Sequence, residues 1–135
     1  MDEKTDMKYL DRLSFLSGGK IRLLTVAAEL DGIGGLIKHA SASGITVSLG
    51  HQLADASQIA EAVLKGAKAL THLGNGLPQL LPRHPNTLWD GIAEDSLSAM
   101  IITDGHHLPP SGMEHICPSK NTVVDLVPDF PGGSK

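Results

Sequence analysis

Apolar residues recur along this chain in short clusters separated by glycine, proline and polar positions. In residues 7–17, Leu10, Leu13, Phe15 and Leu16 fall at roughly helical spacing and stop at Gly18-Gly19, which predicts a first helix with an apolar face. Ile21 to Ala27 is a compact run rich in Ile, Leu and Val, the pattern of a short strand. Leu36, Ile37 and Ala40 mark a short helix ending at Gly44, and Ile45 to Leu49 reads as the next strand. Asp55 with Gln58 three residues on has the form of a capping box and predicts a helix through Ile59, Ala62 and Val63 to Gly66. Ala67 to Leu73 is a further strand. Residues 74–91, holding Pro78, Pro82 and Pro85, read as a long loop. Leu97 to Thr103 is a strand that runs into Asp104-Gly105-His106-His107. A helix then leads to a last strand over Thr122 to Val127, and Pro-Gly-Gly-Ser-Lys reads as a frayed tail.

Strands alternating with helices imply a parallel sheet with helices outside it and right-handed crossovers. No internal repeat is evident. The 135 residues suffice for one domain with a single core. They supply about five strands, whereas a closed eight-stranded βα barrel takes ~250 residues. The pattern therefore fits either a small open α/β domain or part of a barrel.

Composition narrows the function more than the fold. With a net charge of −4, 3% aromatics and no basic patch, nothing favours nucleic acid. No apolar run approaches the ~18 residues of a membrane span, and the acidic-polar start Met1-Asp2-Glu3-Lys4 does not have the form of a signal peptide. Cys117 is the only cysteine, so an intrachain disulfide is impossible. A reducing, cytoplasmic setting follows as the expectation. Cys117 itself reads as a small buried hydrophobe.

Two histidines occupy matching places. His51 closes Ile45-Thr46-Val47-Ser48-Leu49-Gly50-His51, and His72 lies near the end of Ala67-Lys68-Ala69-Leu70-Thr71-His72-Leu73. In a parallel α/β sheet both imidazoles then lie at the carboxyl-terminal rim, where such folds build their sites. Two neutral imidazoles there suggest a transition-metal site completed by carboxylates or water. Asp104-Gly105-His106-His107 and Asp129 end strands at the same rim, and an aspartate there could act as general base toward a metal-bound water. Gly74-Asn75-Gly76 could offer backbone N–H groups and an amide to an anion, and Arg83 the forked charge that phosphate recognition favours. Plainer readings stand beside these. A strand-end histidine is commonly a surface or hydrogen-bonded residue, Asn75-Gly76 has the composition of a turn, Arg83 lies between prolines as a solvated loop charge, and Asp129 before Phe130-Pro131 suits a turn. His39 and His115 read as surface positions on helices.

Five blocks in order resemble the N-acetylglucosamine-6-phosphate deacetylases, a branch of the metal-dependent amidohydrolases. Thr25-Val26-Ala27-Ala28-Glu29 is similar to the family's T-L-A-P-E strand, and Val47-Ser48-Leu49-Gly50-His51 to its V-S-x-G-H. Thr71-His72-Leu73-Gly74-Asn75-Gly76-Leu77-Pro78 resembles T-H-L-[FY]-N-A-M-P. Arg83-His84-Pro85 resembles R-x-P-G, and Ile101-Ile102-Thr103-Asp104-Gly105-His106-His107 resembles I-I-x-D-G-x-H. The interval of 21 residues between His51 and His72 (72 − 51) agrees with the family spacing. The resemblance is good over residues 21–107 and weaker beyond, with 108–135 a divergent end.

The resemblance implies a (β/α)₈ TIM barrel of amidohydrolase type of which only about five βα units are present, corresponding to the fourth to eighth strands. It implies a hydrolase that removes acetate from the amide of N-acetylglucosamine-6-phosphate, with a divalent metal, Zn²⁺ or Fe²⁺. His51 and His72 would be metal ligands. Asn75, the Gly76 backbone and Arg83 would hold the sugar phosphate, Arg83 reaching across from a neighbouring subunit, so a homodimer is implied. His107 would contact substrate and the developing oxyanion. Asp129, with Asp125 as its rival, would be the catalytic aspartate that takes a proton from metal-bound water and passes it to the leaving amine.

Departures from the pattern are as informative. No His-Leu-Glu-Gly-Pro-like segment, whose Glu is a further family ligand, occurs in the chain, and the resemblance implies that it would precede Met1. Pro128 replaces a small hydroxyl residue before Asp129. Gly74 replaces an aromatic, Gly76-Leu77 replaces Ala-Met, and Asn86 stands where the family has Gly. Two other functions therefore remain open: an amidohydrolase acting on another acylated amino sugar or a cyclic amide, and an inactive barrel remnant or binding module.

Overall fold

The computed structural model describes residues 3–124. Its five strands are β1 (Leu23–Val26), β2 (Thr46–Leu49), β3 (Ala67–Leu70), β4 (Ser98–Ile101) and β5 (Thr122–Val124). They lie side by side in chain order, and every pair is parallel. Five helices accompany them: α1 (Glu3–Leu16), α2 (Ile33–Ala42), α3 (Ala56–Lys65), α4 (Thr87–Ala93) and α5 (Pro110–Ser119). An order that never reverses is the winding of a βα barrel, since doubly wound sheets turn back at a switch point. The sheet is the expected arc of about five βα units.

The core is aliphatic, as the scarcity of aromatics requires. Val47 and Leu49 of β2, Leu70 of β3, and Ala99 and Ile101 of β4 pack against Ile37 and Ala40 of α2 and Ile59 and Ala62 of α3. The residues of α3 predicted from sequence all take their places. Asp55 accepts the Gln58 N–H while the Gln58 side chain accepts the Asp55 N–H, and Gly66 ends the helix with φ of 122°. The Ser57 hydroxyl and the Gln58 N–H, both donating to the Asp55 carboxylate, hold its pKa below the ordinary value.

Three expectations need correction. The stretch 74–91 is not loop throughout, because α4 begins at Thr87. Asn86 caps it by accepting the Leu88 and Trp89 N–H groups, and all three prolines precede the cap, where they cannot interrupt the helix. The first helix starts earlier than expected, and its apolar face is mostly uncovered: Leu10 is buried, but Leu13, Phe15 and Leu16 are 56%, 84% and 68% exposed. It lies beside β1, the edge of the sheet, and packs mainly on α2, where His39 meets Asp11 at 2.6 Å. That bond also makes His39 a helix–helix contact. Cys117 is exposed, because α5 turns Met113 and Ile116 toward the core instead. The last strand is described only to Val124, so Asp125, Pro128 and Asp129 lie outside the described residues. Among those residues no helix is long and apolar enough to cross a membrane.

A candidate metal centre at the sheet rim

Backbone register carries the two histidines to the same place. Leu49 pairs with Leu70, the ladder continues through the Thr71 N–H to the Leu49 carbonyl, and the sequence offset of that pairing (70 − 49) equals the offset between His51 and His72. Each imidazole therefore sits two residues past a paired position on adjacent strands. Their Nε2 atoms are 2.9 Å apart, and the rings meet edge to face with centroids 4.6 Å apart.

The backbone beneath them is unusual. His51 has φ of 52° and His72 φ of 31°, and among the described residues these are the only non-glycine positions with positive φ. Such conformations cost of order 1–3 kcal/mol each and persist where surrounding contacts over-determine them. The contacts here are tight. A Cβ on Gly50 would come within 2.8 Å of Thr71 Cβ, and one on Gly76 within 2.6 Å of His51 Nδ1. Glycine at both positions lets neighbouring backbone and ring approach as they do.

Two sets of side chains brace this region, and neither was singled out from the sequence. Below the histidines, Thr25 Oγ1 and Thr71 Oγ1 are 2.9 Å apart, and Thr71 donates to the fully buried Ser48 at 2.6 Å, tying β1, β2 and β3 together. Beside His51, Gln52 accepts the Ala28 N–H at 3.1 Å, and Glu29 accepts the Leu53 N–H at 2.8 Å. The glycines flanking the histidines were the available signal, since Gly50 and Gly76 mark close approaches.

Two imidazole nitrogens this close either share a proton or share a cation. Ligand nitrogens around a tetrahedral zinc, each at 2.0–2.1 Å, stand about 3.3 Å apart, so a few tenths of an ångström of widening would fit the pair to one ion. The His72 Nδ1 is buried with no partner among the described residues. Among the described residues no group of three or more His, Cys, Asp or Glu gathers here, so the pair fits a divalent ion as two of its ligands only.

The other residues singled out from sequence divide into near and far. Asn75 and Gly76 follow directly: the Asn75 N–H donates to the His72 carbonyl, its side-chain Nδ2 is buried without a partner, and Gly76 lies against the His51 ring. Arg83 is exposed on the loop before α4 and forms no hydrogen bond or ion pair among the described residues. His107 stands on the loop after β4, where its Nδ1 lies 2.7 Å from Asp104 Oδ2. Asp104 also accepts the His106 and His107 N–H groups, and these two backbone bonds, more than the His107 side chain, lower its pKa to about 2. The turn thereby fixes His107 with Nδ1 engaged and Nε2 available.

Known proteins share this arrangement of chain. The N-acetylgalactosamine-6-phosphate deacetylase of Escherichia coli O157:H7 is 31% identical over 120 residues, covering 89% of this chain and 32% of that protein. The N-acetylglucosamine-6-phosphate deacetylase of Danio rerio is 45% identical over 98 residues, 69% of this chain and 24% of its own. An aspartate-to-alanine mutant of N-acetyl-D-glucosamine-6-phosphate deacetylase from Mycobacterium smegmatis, solved in complex with N-acetyl-D-glucosamine-6-phosphate, superposes with a TM-score of 0.78 at 25% identity. That superposition covers 87% of this chain and 32% of the mutant. The relatives it resembles are amino-sugar-6-phosphate deacetylases. No family profile matches it, and it spans about a third or less of the length of the curated relatives it matches. The deacetylase fold accounts for the consecutive parallel strands, which form part of its TIM-type barrel. The proteins it is similar to include deacetylases named for both the gluco and the galacto sugar.

Proposed function

We propose that this chain carries the two-histidine side of the metal centre, and the adjoining phosphate loop, of an amino-sugar-phosphate deacetylase. The observation that supports this best is the pair of Nε2 atoms at 2.9 Å on adjacent strand ends, both raised on left-handed backbone. His51 and His72 would hold a divalent ion, Zn²⁺ or Fe²⁺. When bound, such an ion polarises the acetamide carbonyl and lowers the pKa of water. Asn75, with its uncommitted amide, and the Gly76 backbone would orient the sugar phosphate beside it. Exposed Arg83 would add a forked charge, within the same subunit or toward a partner in a homodimer. His107, locked by Asp104 with Nε2 available, would hydrogen-bond the substrate and the oxyanion as it forms. Asp129, or Asp125, would take the proton from water and return it to the leaving amine. The proposed substrate is N-acetylglucosamine-6-phosphate, with the galacto epimer as the alternative, and the proposed setting is the cytoplasm.

Acetate release from both 6-phosphates, and from unphosphorylated N-acetylglucosamine, tests this in zinc- or iron-loaded protein. The reading expects turnover of a 6-phosphate only, weaker apparent affinity in Arg83→Ala, and loss of bound metal in the His51→Ala, His72→Ala double variant. Equal turnover with and without the phosphate would redirect the assignment to another acylated amino sugar or a cyclic amide. A second reading, a barrel remnant or binding module, draws on the two-ligand count among the described residues. Folded protein that binds neither metal nor sugar phosphate would establish the remnant, whereas sugar-phosphate binding without turnover would establish the module.

A further inference from the structure

The turn that bears His51 is fastened to its neighbour by two bonds running in opposite directions. After Val26 the ladder between β1 and β2 ends, with the Gly50 N–H donating to the Val26 carbonyl. Beyond that point the backbone N–H groups of both turns have no strand to pair with. Gln52, buried on the β2 side, reaches back to accept the Ala28 N–H, and Glu29, on the β1 side, reaches across to accept the Leu53 N–H. Each bond spans 24 residues of sequence, so the two side chains form a reciprocal clasp. His51 sits immediately before Gln52 with φ of 52° and its ring against Gly76. A residue in that conformation relaxes toward negative φ unless the chain on either side is held. On one side the Gly50 ladder bond holds it, and on the other the clasp does.

We propose that Glu29 and Gln52 are positioning residues that lock the left-handed turn at His51 and thereby aim its Nε2 at His72. Glu29 closes the block Thr25-Val26-Ala27-Ala28-Glu29, for which the chemistry above has no other use. Gln and Glu suit the task because each presents a side-chain oxygen on a stem long enough to cross between turns, and an acceptor is what an unpaired N–H requires. Residues that orient a ligand from behind commonly alter metal affinity by 10–100-fold without touching the ion. The affinity part of this inference rests on the metal reading, but the aim of the ring does not.

The test uses the full chain. Long-range ¹H–¹⁵N NMR of metal-free protein reads the His51 ring, with His115, hydrogen-bonded to the Ser111 carbonyl on α5, as an internal control. Titration with Co²⁺ alone reads the site. In Glu29→Ala and Gln52→Leu the His51 ring signals should shift while those of His115 stay, and Co²⁺ should bind about 10–100-fold more weakly. Glu29→Gln keeps an acceptor oxygen and should behave as the parent chain does. Unchanged His51 signals in Glu29→Ala would overturn the inference, even if that variant melts at lower temperature, because the clasp would then be scaffold alone. Failure of Glu29→Gln to rescue would overturn it as well. If the parent chain binds no Co²⁺ but the ring signals move as expected, the clasp stands and the metal reading falls. Where Gln52→Leu does not fold, the Glu29 comparison decides.

Discussion

Gly76→Ala separates backbone strain from contact with the histidine. Gly76 has φ of 70°, and Gly44, at the turn between α2 and β2, has φ of 76°. Alanine in either place takes on a left-handed conformation at a cost of about 1 kcal/mol. For a chain of this size that lowers the melting temperature by roughly 3–5 °C. The surroundings differ. A Cβ at Gly44 meets nothing within 4 Å, whereas at Gly76 it would lie 2.6 Å from His51 Nδ1 and 2.8 Å from Cε1. Ordinary contact begins near 3.4 Å, so the ring must retreat by about 0.8 Å (3.4 − 2.6). His51 is exposed and can swing outward, so little extra stability is lost, but its Nε2 leaves the 2.9 Å approach to His72. The expected outcome is two variants with similar melting temperatures, of which only Gly76→Ala loses about 10–100-fold in Co²⁺ or Zn²⁺ affinity. Calorimetry and competition against a chromophoric chelator measure the two quantities. Parent-like metal affinity in Gly76→Ala, or an equal loss in Gly44→Ala, would refute the reasoning.

Other perturbations probe the scaffold and the His107 turn. Thr71→Val leaves Ser48, fully buried, without its donor, and should destabilise the fold by about 1–3 kcal/mol in urea unfolding; an unchanged midpoint would mean that the hydroxyl chain contributes nothing. Asp55→Ala removes the capping box and should lower the midpoint in the same assay, while Asp55→Asn retains most of the stability. The Asp104 pKa lies at about 2 rather than the ordinary 3.8. A folded pKa below the unfolded one means that its contribution is complete above the ordinary value and is lost as pH falls through about 2. Carboxyl ¹³C titration should therefore find a midpoint near 2, and Asp104→Asn should remove the acid dependence of the His106 and His107 amide shifts. A midpoint at the ordinary value would show that the turn bonds do not form.

The alternation of apolar runs was enough to read the parallel sheet, and Asp55 and Gln58 were enough to read the start of α3, because these signals act within a few residues. The paired strand ends at His51 and His72 were legible for the same reason. What escaped the sequence was set by tertiary surroundings. Leu13, Phe15 and Leu16 have the spacing of a buried face, yet whether a face is buried depends on what lies beyond it, and α1 stands at the sheet edge. The prolines before Asn86 suggested loop, but they stop short of the helix that Asn86 caps. The left-handed turns at both histidines, the Ser48–Thr71–Thr25 chain and the Glu29–Gln52 clasp arise from contacts between segments some 20 or more residues apart, and no local pattern announces those.

The order of the strands also bears on how the rim assembles. Paired positions lie 23 residues apart between β1 and β2 (Val26 and Leu49), 21 between β2 and β3 (Leu49 and Leu70), 29 between β3 and β4 (Leu70 and Ala99) and 23 between β4 and β5 (Ala99 and Thr122). Each closure involves one βα unit and none bridges distant parts of the chain, a topology of low contact order that favours fast folding. Loop entropy separates the longest closure from the shortest by only about 0.3 kcal/mol. The shortest is the one that unites the two imidazoles. Residues 45–76 therefore hold both rings, the helix between them and the glycine that seats one of them, while the Leu73 N–H, next after His72, ties this segment to the Met100 carbonyl of β4.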